Sequence, residues 1–296
     1  MIVGLQSSFA LVLVLLVAEG TASAQGNGHA YGLYKNPHPG GSSAASAASA
    51  PSGGGSQEIQ VPGTGIRNFG SWLDDASVMN AGNAYFNVGF GYWKMAAFRE
   101  FDAPMVDGGV AVNRRVQVGV SVPYYRASEP GGPVASGFGT VYLSAKVQLR
   151  DAAAHRVGFA LTPAVEVLSA PPLEGQGRVS FALPVSVEVQ RTGWRTYGSA
   201  GYFSRGALFA SGALEKAITS RTSVTGSISH SHSMDPDPLS VALGLAQTRT
   251  DIAGGASVFA TPRVAIYGSI GRTISKQDAN SASLMVSGGV SFNFVR

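Results

Sequence analysis

From Asn83 to the end of the chain, apolar residues recur at every second position. In Val179–Gln190, six apolar side chains fall on one face, while serine, alanine, proline, glutamate and glutamine fall on the other. Val116–Arg126 and Thr140–Arg150 alternate in the same way. A helix would instead repeat its apolar residues at about 3.6 positions, whereas a strand with one apolar face repeats at two. The pattern therefore predicts an all-β chain of two-faced strands.

The connections between these strands alternate in length. Between short turns such as 113–115 and 191–193 lie longer connections such as 127–137 and 169–178. Short turns at one end and longer loops at the other are typical of outer-membrane barrels. We predict a single antiparallel transmembrane β-barrel of twelve strands, at residues 83–95, 103–112, 116–126, 138–150, 157–168, 179–190, 195–204, 206–218, 222–233, 249–260, 264–275 and 282–295.

The strand count has one alternative, because Leu239–Ala246 also has the composition of a strand. Taken as a thirteenth strand it would place the two chain ends on opposite sides, whereas single-chain bacterial barrels have an even number of strands. We assign this segment to a long extracellular loop, and a fourteen-stranded barrel is the alternative.

The barrel is predicted to span residues 83–296, and three segments precede it. Residues 1–24 contain an apolar run of signal-peptide length and end in Ala22-Ser23-Ala24, a pattern typical of a cleavage site. Residues 25–57 are rich in glycine, serine, alanine and proline, which predicts a disordered linker in the periplasm. Residues 58–82 form a periplasmic transition segment, in which Trp72–Asp75 is either a short turn or a plug at the barrel entrance.

The composition supports a secreted membrane barrel in the cell outer membrane. Charged residues make up 13% of the chain and glycine supplies 39 of its 296 residues. A soluble domain carries about 25% charged residues. The chain has no cysteine, which excludes disulfides and thiolate metal sites. Its net charge of +4 is not clustered, so no nucleic-acid partner is expected. Nothing in the sequence indicates a cofactor or a metal site.

The polar faces of the strands are predicted to line the lumen, because lipid can accept only the apolar faces. Their charged and amide side chains have both signs and are spread thinly among small residues. These side chains either line a wet pore or pair with one another as internal struts. The candidates for lining a pore are Asp107, Gln117, Lys146, Gln148, Arg150, Glu166, Glu188, Gln190 and Glu215.

The outward faces are expected to contact outer-membrane lipid. Lys94, Lys216 and Arg272 have the outward register but lie near strand ends, where a basic side chain can reach the head groups. Aromatic residues also gather at strand ends and suggest two interfacial girdles. They are Tyr92, Trp93, Tyr124, Tyr125, Trp194, Tyr197, Phe292 and Phe294. The alternating Phe292 and Phe294 of the last strand resemble the C-terminal signal that barrel-assembly machinery recognises.

One segment has residue types that could support catalysis. In Ser229–Ser233, His230 and His232 alternate with three serines. Alternation places the histidines and the serines on opposite faces, so no local nucleophile–base pair is available for an outer-membrane lipid hydrolase. No third histidine or carboxylate lies nearby in the sequence to complete a metal site. We therefore predict that the chain is not an enzyme.

Two adjacent segments carry a family resemblance. Val116–Arg126 (VQVGVSVPYYR) and Gly137–Lys146 (GFGTVYLSAK) resemble the outer-membrane transporter-like family associated with phenol meta-pathway degradation. Thr140 stands where that family usually has aspartate, so no role of that aspartate is carried over. The resemblance implies a barrel that admits hydrophobic or aromatic solutes. An autotransporter translocator domain is similar in size, but only low-complexity sequence precedes this barrel.

Barrel size narrows the expected function. Eight strands leave an interior filled by side chains, whereas about sixteen leave an aqueous channel. Twelve strands fall between these limits and allow a narrow pore. The sequence therefore predicts an outer-membrane channel or transporter for small solutes. The alternative is a structural or anchoring barrel whose lumen is plugged.

Overall fold

The computed structural model describes residues 44–45, 59–60, 73–96, 99–128, 134–167, 179–204, 206–234, 246–275, 278 and 281–294. The predicted signal peptide, nearly all of the linker and all but the last residue of 239–246 lie outside these ranges. Ala44–Ala45 pairs with Ile59–Gln60 as a short antiparallel ladder. Among the described residues, no helix is long and apolar enough to cross a membrane.

The part of the chain from Ala84 to Phe294 is built from strands, with one single-turn helix, α1 (Ala152–His155). Fourteen strand segments are described there. They are β1 (Ala84–Met95), β2 (Arg99–Ala111), β3 (Val116–Ser128), β4 (Val134–Phe138), β5 (Val141–Arg150), β6 (Val157–Leu161), β7 (Ala164–Val167), β8 (Val179–Arg191), β9 (Trp194–Phe203), β10 (Ala207–Ala217), β11 (Thr222–Ser233), β12 (Thr248–Thr261), β13 (Val264–Thr273) and β14 (Ala282–Phe294).

These segments form twelve barrel strands, because two of the twelve are interrupted. β4 and β5 both pair with β3, and β6 and β7 both lie between β5 and β8. The second interruption falls at Thr162-Pro163, where proline has no N–H to donate to the ladder. The Pro163 carbonyl still accepts a hydrogen bond from the Ala145 N–H, and the Thr162 N–H donates to the Pro184 carbonyl.

The ring closes where the last strand pairs with the first. Phe294 lies opposite Ala84 and Val290 lies opposite Val88, all pairs around the ring being antiparallel. Closure leaves no free sheet edge. The predicted all-β, twelve-stranded antiparallel barrel is therefore confirmed. Both ends of the barrel lie at the rim that carries the short turns, and we call this the turn end and the opposite rim the loop end.

The alternating apolar and polar residues of each strand point alternately to the outside and the inside of the barrel. In β8, Val185 and Val187 point outward and are 48% and 41% exposed, whereas Ser186 and Glu188 point inward and are fully buried. Lys94, Lys216 and Arg272 are exposed on the outward register, as the sequence indicates. The hydrophobic surface of the molecule is thus its outside, which is the arrangement that a lipid solvent requires.

Three of the eight aromatic residues assigned to interfacial girdles do not belong there. Trp93 and Tyr197 are buried, at 3% and 2% exposure, and Tyr125 shares the inward register of its ladder partner Asp102. Each is an odd-numbered residue of a strand whose even-numbered residues face lipid. The girdle prediction for these three residues is therefore wrong. It used only their position near strand ends, whereas the strand register decides whether a side chain points to the lipid or to the lumen.

Candidate functional site: a plugged lumen

The chain immediately before the barrel lies inside it. Leu73–Met79, which we call the plug, is buried along its whole length, and its contacts are with inward-facing side chains of the strands. These partners lie between 38 and 125 residues away in the sequence. Of the two interpretations of Trp72–Asp75, the contacts of Leu73, Asp74 and Asp75 fit the plug.

Two adjacent carboxylates hold the plug to two basic residues of the wall. Asp74 Oδ1 lies 2.7 Å from Lys146 Nζ, and Asp75 Oδ1 lies 3.0 Å from the same atom. Asp75 Oδ2 also lies 3.1 Å from Arg195 Nη1. All four side chains are at most 4% exposed. Ion pairs removed from water in this way are screened little by salt.

Further hydrogen bonds extend the attachment along the plug. The Ser77 hydroxyl donates to Glu188 Oε2 at 2.7 Å, and Gln148 Nε2 donates to the Ala76 carbonyl at 3.2 Å. The Met79 N–H donates to Gln117 Oε1 at 3.3 Å. Because the plug has no regular backbone ladder of its own, the wall side chains satisfy its polar groups.

Four of the nine predicted lumen residues contact the plug directly, and two more lie one contact away. The direct contacts are those of Gln117, Lys146, Gln148 and Glu188. Glu215 accepts a hydrogen bond from Arg195, at 2.9 Å from Nη2, and Gln190 donates to Glu188 at 2.8 Å. In the turn-end half of the lumen these residues therefore act as internal struts in the plugged state.

The remaining three predicted residues are not part of this cluster. Asp107 accepts a hydrogen bond from the Ser121 hydroxyl, and Glu166 accepts one from Ser180, both between neighbouring strands and both buried. Arg150 ends β5 at the turn end and is exposed. That any of the nine lines an open pore remains a prediction.

Sequence reasoning did not name several residues that the cluster needs. Arg195 contacts Asp75, Glu188 and Glu215 and covers the Tyr197 ring at 4.8 Å. Its inward register could have been read from its alternation with Tyr197 and Ser199. Asp74 also contacts the hydroxyls of Thr162 and Ser199, and no sequence pattern links these positions.

The loop-end half of the lumen holds a buried apolar cluster, and at the same end lie buried charged residues, namely Glu100, Asp102 and the Arg249–Asp251 ion pair at 3.0 Å. Phe203 ends β9 and packs on Phe209 of β10, with ring centroids 5.1 Å apart. Around them lies a cluster of buried aromatic, methionine and alanine side chains. Its members are Trp93, Met95, Met105, Tyr142, Ala164, Ala182, Phe203, Phe209, Ala207, Ala282 and Met285. The lumen is therefore filled at two levels, by the plug toward the turn end and by this cluster, the apolar layer, toward the loop end.

On the outward face of β11, His230 is exposed and His232 is half-buried, whereas Ser229, Ser231 and Ser233 are buried on the inward face. The predicted separation of histidines from serines is thus observed. His230 Nδ1 lies 2.9 Å from the Thr250 hydroxyl. Within the described ranges, no group of three or more histidine, aspartate or glutamate residues could hold a metal ion.

Comparison with solved structures places this architecture among known barrels. The chain resembles the COG4313 outer membrane channel from Pseudomonas putida F1 at a TM-score of 0.58 and 14% sequence identity, covering 74% of this chain and 98% of the other. The fold is that of outer-membrane channels. The NanC porin is similar at a TM-score of 0.51 and 10% identity, covering 70% of this chain and 98% of that porin.

Sequence comparison gives no family. No protein-family model matches the chain, and no curated protein matches it. The two structural neighbours are an outer-membrane channel and a porin. Identities of 10–14% show a shared fold. The association with the phenol meta-pathway family stays a prediction, because none of these matches names it.

Proposed function

We propose that the protein is an outer-membrane channel for small solutes and that its plug is the gate. The observation that carries the proposal is a closed twelve-stranded ring whose turn-end half holds a buried segment, Leu73–Met79, that takes no part in the backbone ladder. The strands pair with one another all the way round, so no ladder bond depends on the plug. Displacing Leu73–Met79 would open that half of the lumen without breaking the wall.

The residues that would line the opened part are the members of the predicted set that belong to this cluster, joined by Arg195. Lys146, Glu188 and Glu215 would then face water, with Gln117 and Gln148 beside them. Passage through the loop-end half requires the apolar layer to rearrange as well. Aromatic and methionine side chains there favour hydrophobic or aromatic solutes, since methionine adapts its shape readily and contacts aromatic rings well.

The alternative is a structural or anchoring barrel that never opens. It is favoured by the burial of the Asp74–Lys146 and Asp75–Arg195 pairs, because breaking a buried ion pair by removing one partner costs about 3–5 kcal/mol. A plug held this firmly would open rarely. Conductance therefore has to be compared between plugged and unplugged forms of the same barrel.

The test is single-channel recording in planar bilayers. Asp74→Asn together with Asp75→Asn keeps the size of the plug but removes its charge, and a second variant lacks residues 73–79. We expect rare openings for the unchanged protein, frequent openings for the double variant and steady conductance for the deletion. Asp151→Asn is the matched control, because Asp151 is an exposed residue that caps α1 outside the lumen.

The absence of any ion current would favour the structural or anchoring barrel. If the folded deletion variant gives no current steps, and liposomes containing it do not swell in small sugars, the barrel is structural.

We also propose that the protein resides in the cell outer membrane with residues 25–57 in the periplasm. Recognition of the last strand by barrel-assembly machinery, through Phe292 and Phe294, belongs to the same proposal, and both rings are exposed on the outward face.

A further inference from the structure

Lys146 is a basic wall residue of the cluster whose hydrogen-bond acceptors all belong to the plug. Its ammonium donates to Asp74 Oδ1 at 2.7 Å, to Asp75 Oδ1 at 3.0 Å and to the Ser77 carbonyl at 3.2 Å. No carboxylate of the wall, within the described ranges, lies at ion-pair distance from it. Lys146 is 4% exposed and so depends on the plug for compensation of its charge.

Arg195 differs from Lys146 in this respect. It contacts Asp75 of the plug, but it also contacts Glu188 at 3.5 Å and Glu215 at 2.9 Å, and both of these belong to the wall. When the plug leaves, Arg195 keeps two carboxylates and Lys146 keeps none. Glu166 and Asp107 lie at the ladder level of Tyr142, four residues from Lys146 toward the loop end, and each is bonded to a serine of the neighbouring strand.

The Asp74 carboxylate accepts hydrogen bonds from two wall side chains, Lys146 and Thr162, and from the Asp75 N–H within the plug. One oxygen accepts from Lys146 Nζ, and the other lies 3.3 Å from the Thr162 hydroxyl. A charged donor on one oxygen and a hydroxyl on the other is an arrangement that any carboxylate can use, whether it belongs to the chain or to a ligand. The plug thus presents to the wall the same chemical group that a carboxylate solute would present.

We propose that Lys146 and Thr162 form a carboxylate-binding site of the lumen, and that an organic carboxylate solute releases the plug by taking the place of Asp74. The inference rests on the proposed function and names the class of its solute. A solute carboxylate supplies the charge that Lys146 loses when the plug moves. A neutral solute of the same shape leaves Lys146 uncompensated, so it cannot shift the equilibrium, because only a ligand that prefers one state shifts a population.

Benzoate and benzamide are suitable probes, since they share an aromatic ring and differ in the carboxylate. In planar bilayers at constant ionic strength, we expect benzoate to raise the open probability of the unchanged protein by at least about 5-fold, the lower end of ordinary coupling between sites. Benzamide should leave it unchanged. Equal effects of the two probes would overturn the proposal.

Lys146→Met tests the site itself. This variant should show a higher basal open probability and no further response to benzoate, so the ratio with and without benzoate is the quantity compared. Thr162→Val should respond more weakly than the unchanged protein. Lys216→Met is the matched control, because Lys216 is an exposed outward lysine near the turn end, and it should respond normally. A full benzoate response in Lys146→Met would contradict the site.

Direct binding separates this inference from the proposed function. By isothermal titration calorimetry, the barrel lacking residues 73–79 should bind benzoate and not benzamide, and Lys146→Met in that barrel should abolish the binding. Binding without conductance would refute the channel and keep the site. Conductance of the deletion barrel without benzoate binding would keep the channel and refute the site.

Discussion

At the scale of single residues, Gly91 shows how the interior accommodates a large ring. A Cβ atom at Gly91 would lie 2.1 Å from Cη2 of the Trp93 indole, so the indole lies directly on the glycine backbone two positions away in β1. Trp93 is inward and buried in the apolar layer. Glycine is therefore required at this position by the close approach of the ring.

Gly91→Ala should displace the Trp93 indole and destabilise the barrel by about 1–3 kcal/mol, the usual cost of overpacking a filled interior. The measurement is urea unfolding in detergent, with near-ultraviolet circular dichroism reporting the displaced ring. Gly226→Ala is the matched control, because a Cβ at Gly226 meets nothing within 4 Å. Similar losses in both variants would mean that strand flexibility, and not ring packing, sets the cost.

At the scale of elements, the outward face of a strand tolerates charge only near its ends. Val185 is central in β8 and Val179 is its first residue, and both are exposed on the outward face. This pair allows the depth of the membrane to be probed on one strand with one substitution.

Val185→Arg should cost about 2–4 kcal/mol, whereas Val179→Arg should cost about 0–1 kcal/mol, because the penalty for a basic side chain falls from the midplane to the interface. Unfolding of each variant from lipid vesicles gives the two values. Equal losses of unfolding free energy in the two variants would mean that the middle of the bilayer does not coincide with the middle of β8. Ser186→Ala, which changes the inward neighbour of Val185, controls for local packing.

The strands could be predicted from the sequence because lipid imposes the same rule on every one of them. Val179–Gln190 alternates strictly, and the observed β8 differs from its predicted span by one residue. The interruption at Pro163 was missed, since period-two alternation continues in the sequence across it. The sequence raised a plug as one of two options but did not give its position in the lumen. Asp74 and Asp75 belong to no periodic pattern, and their partners lie 71–125 residues away.

At the scale of the whole molecule, the ring and the plug are separable. The ring closes through pairing of β14 with β1, and the plug adds side-chain contacts inside it. A barrel without residues 73–79 should therefore still fold and keep the altered gel mobility of an unheated barrel.

We expect that deletion to lower stability by at least about 1–3 kcal/mol, the cost of leaving one buried polar group without its partner. Urea titration of the deletion variant measures the loss. Adding Lys146→Met to the deletion should recover part of it, since that change removes the uncompensated ammonium. Failure of the deletion variant to fold at all would show that the plug is needed to build the ring.

Closure of the ring by its last strand also sets an order of events during folding. Phe294 pairs with Ala84, so the seam forms only after the whole barrel sequence has been synthesised, and such long-range pairing is slow. The plug begins eleven residues before Ala84 and ends five before it. It is covalently tethered to the strand against which the seam is made. Its route into the lumen is therefore short, and the barrel completes its wall around a segment that is already at the entrance.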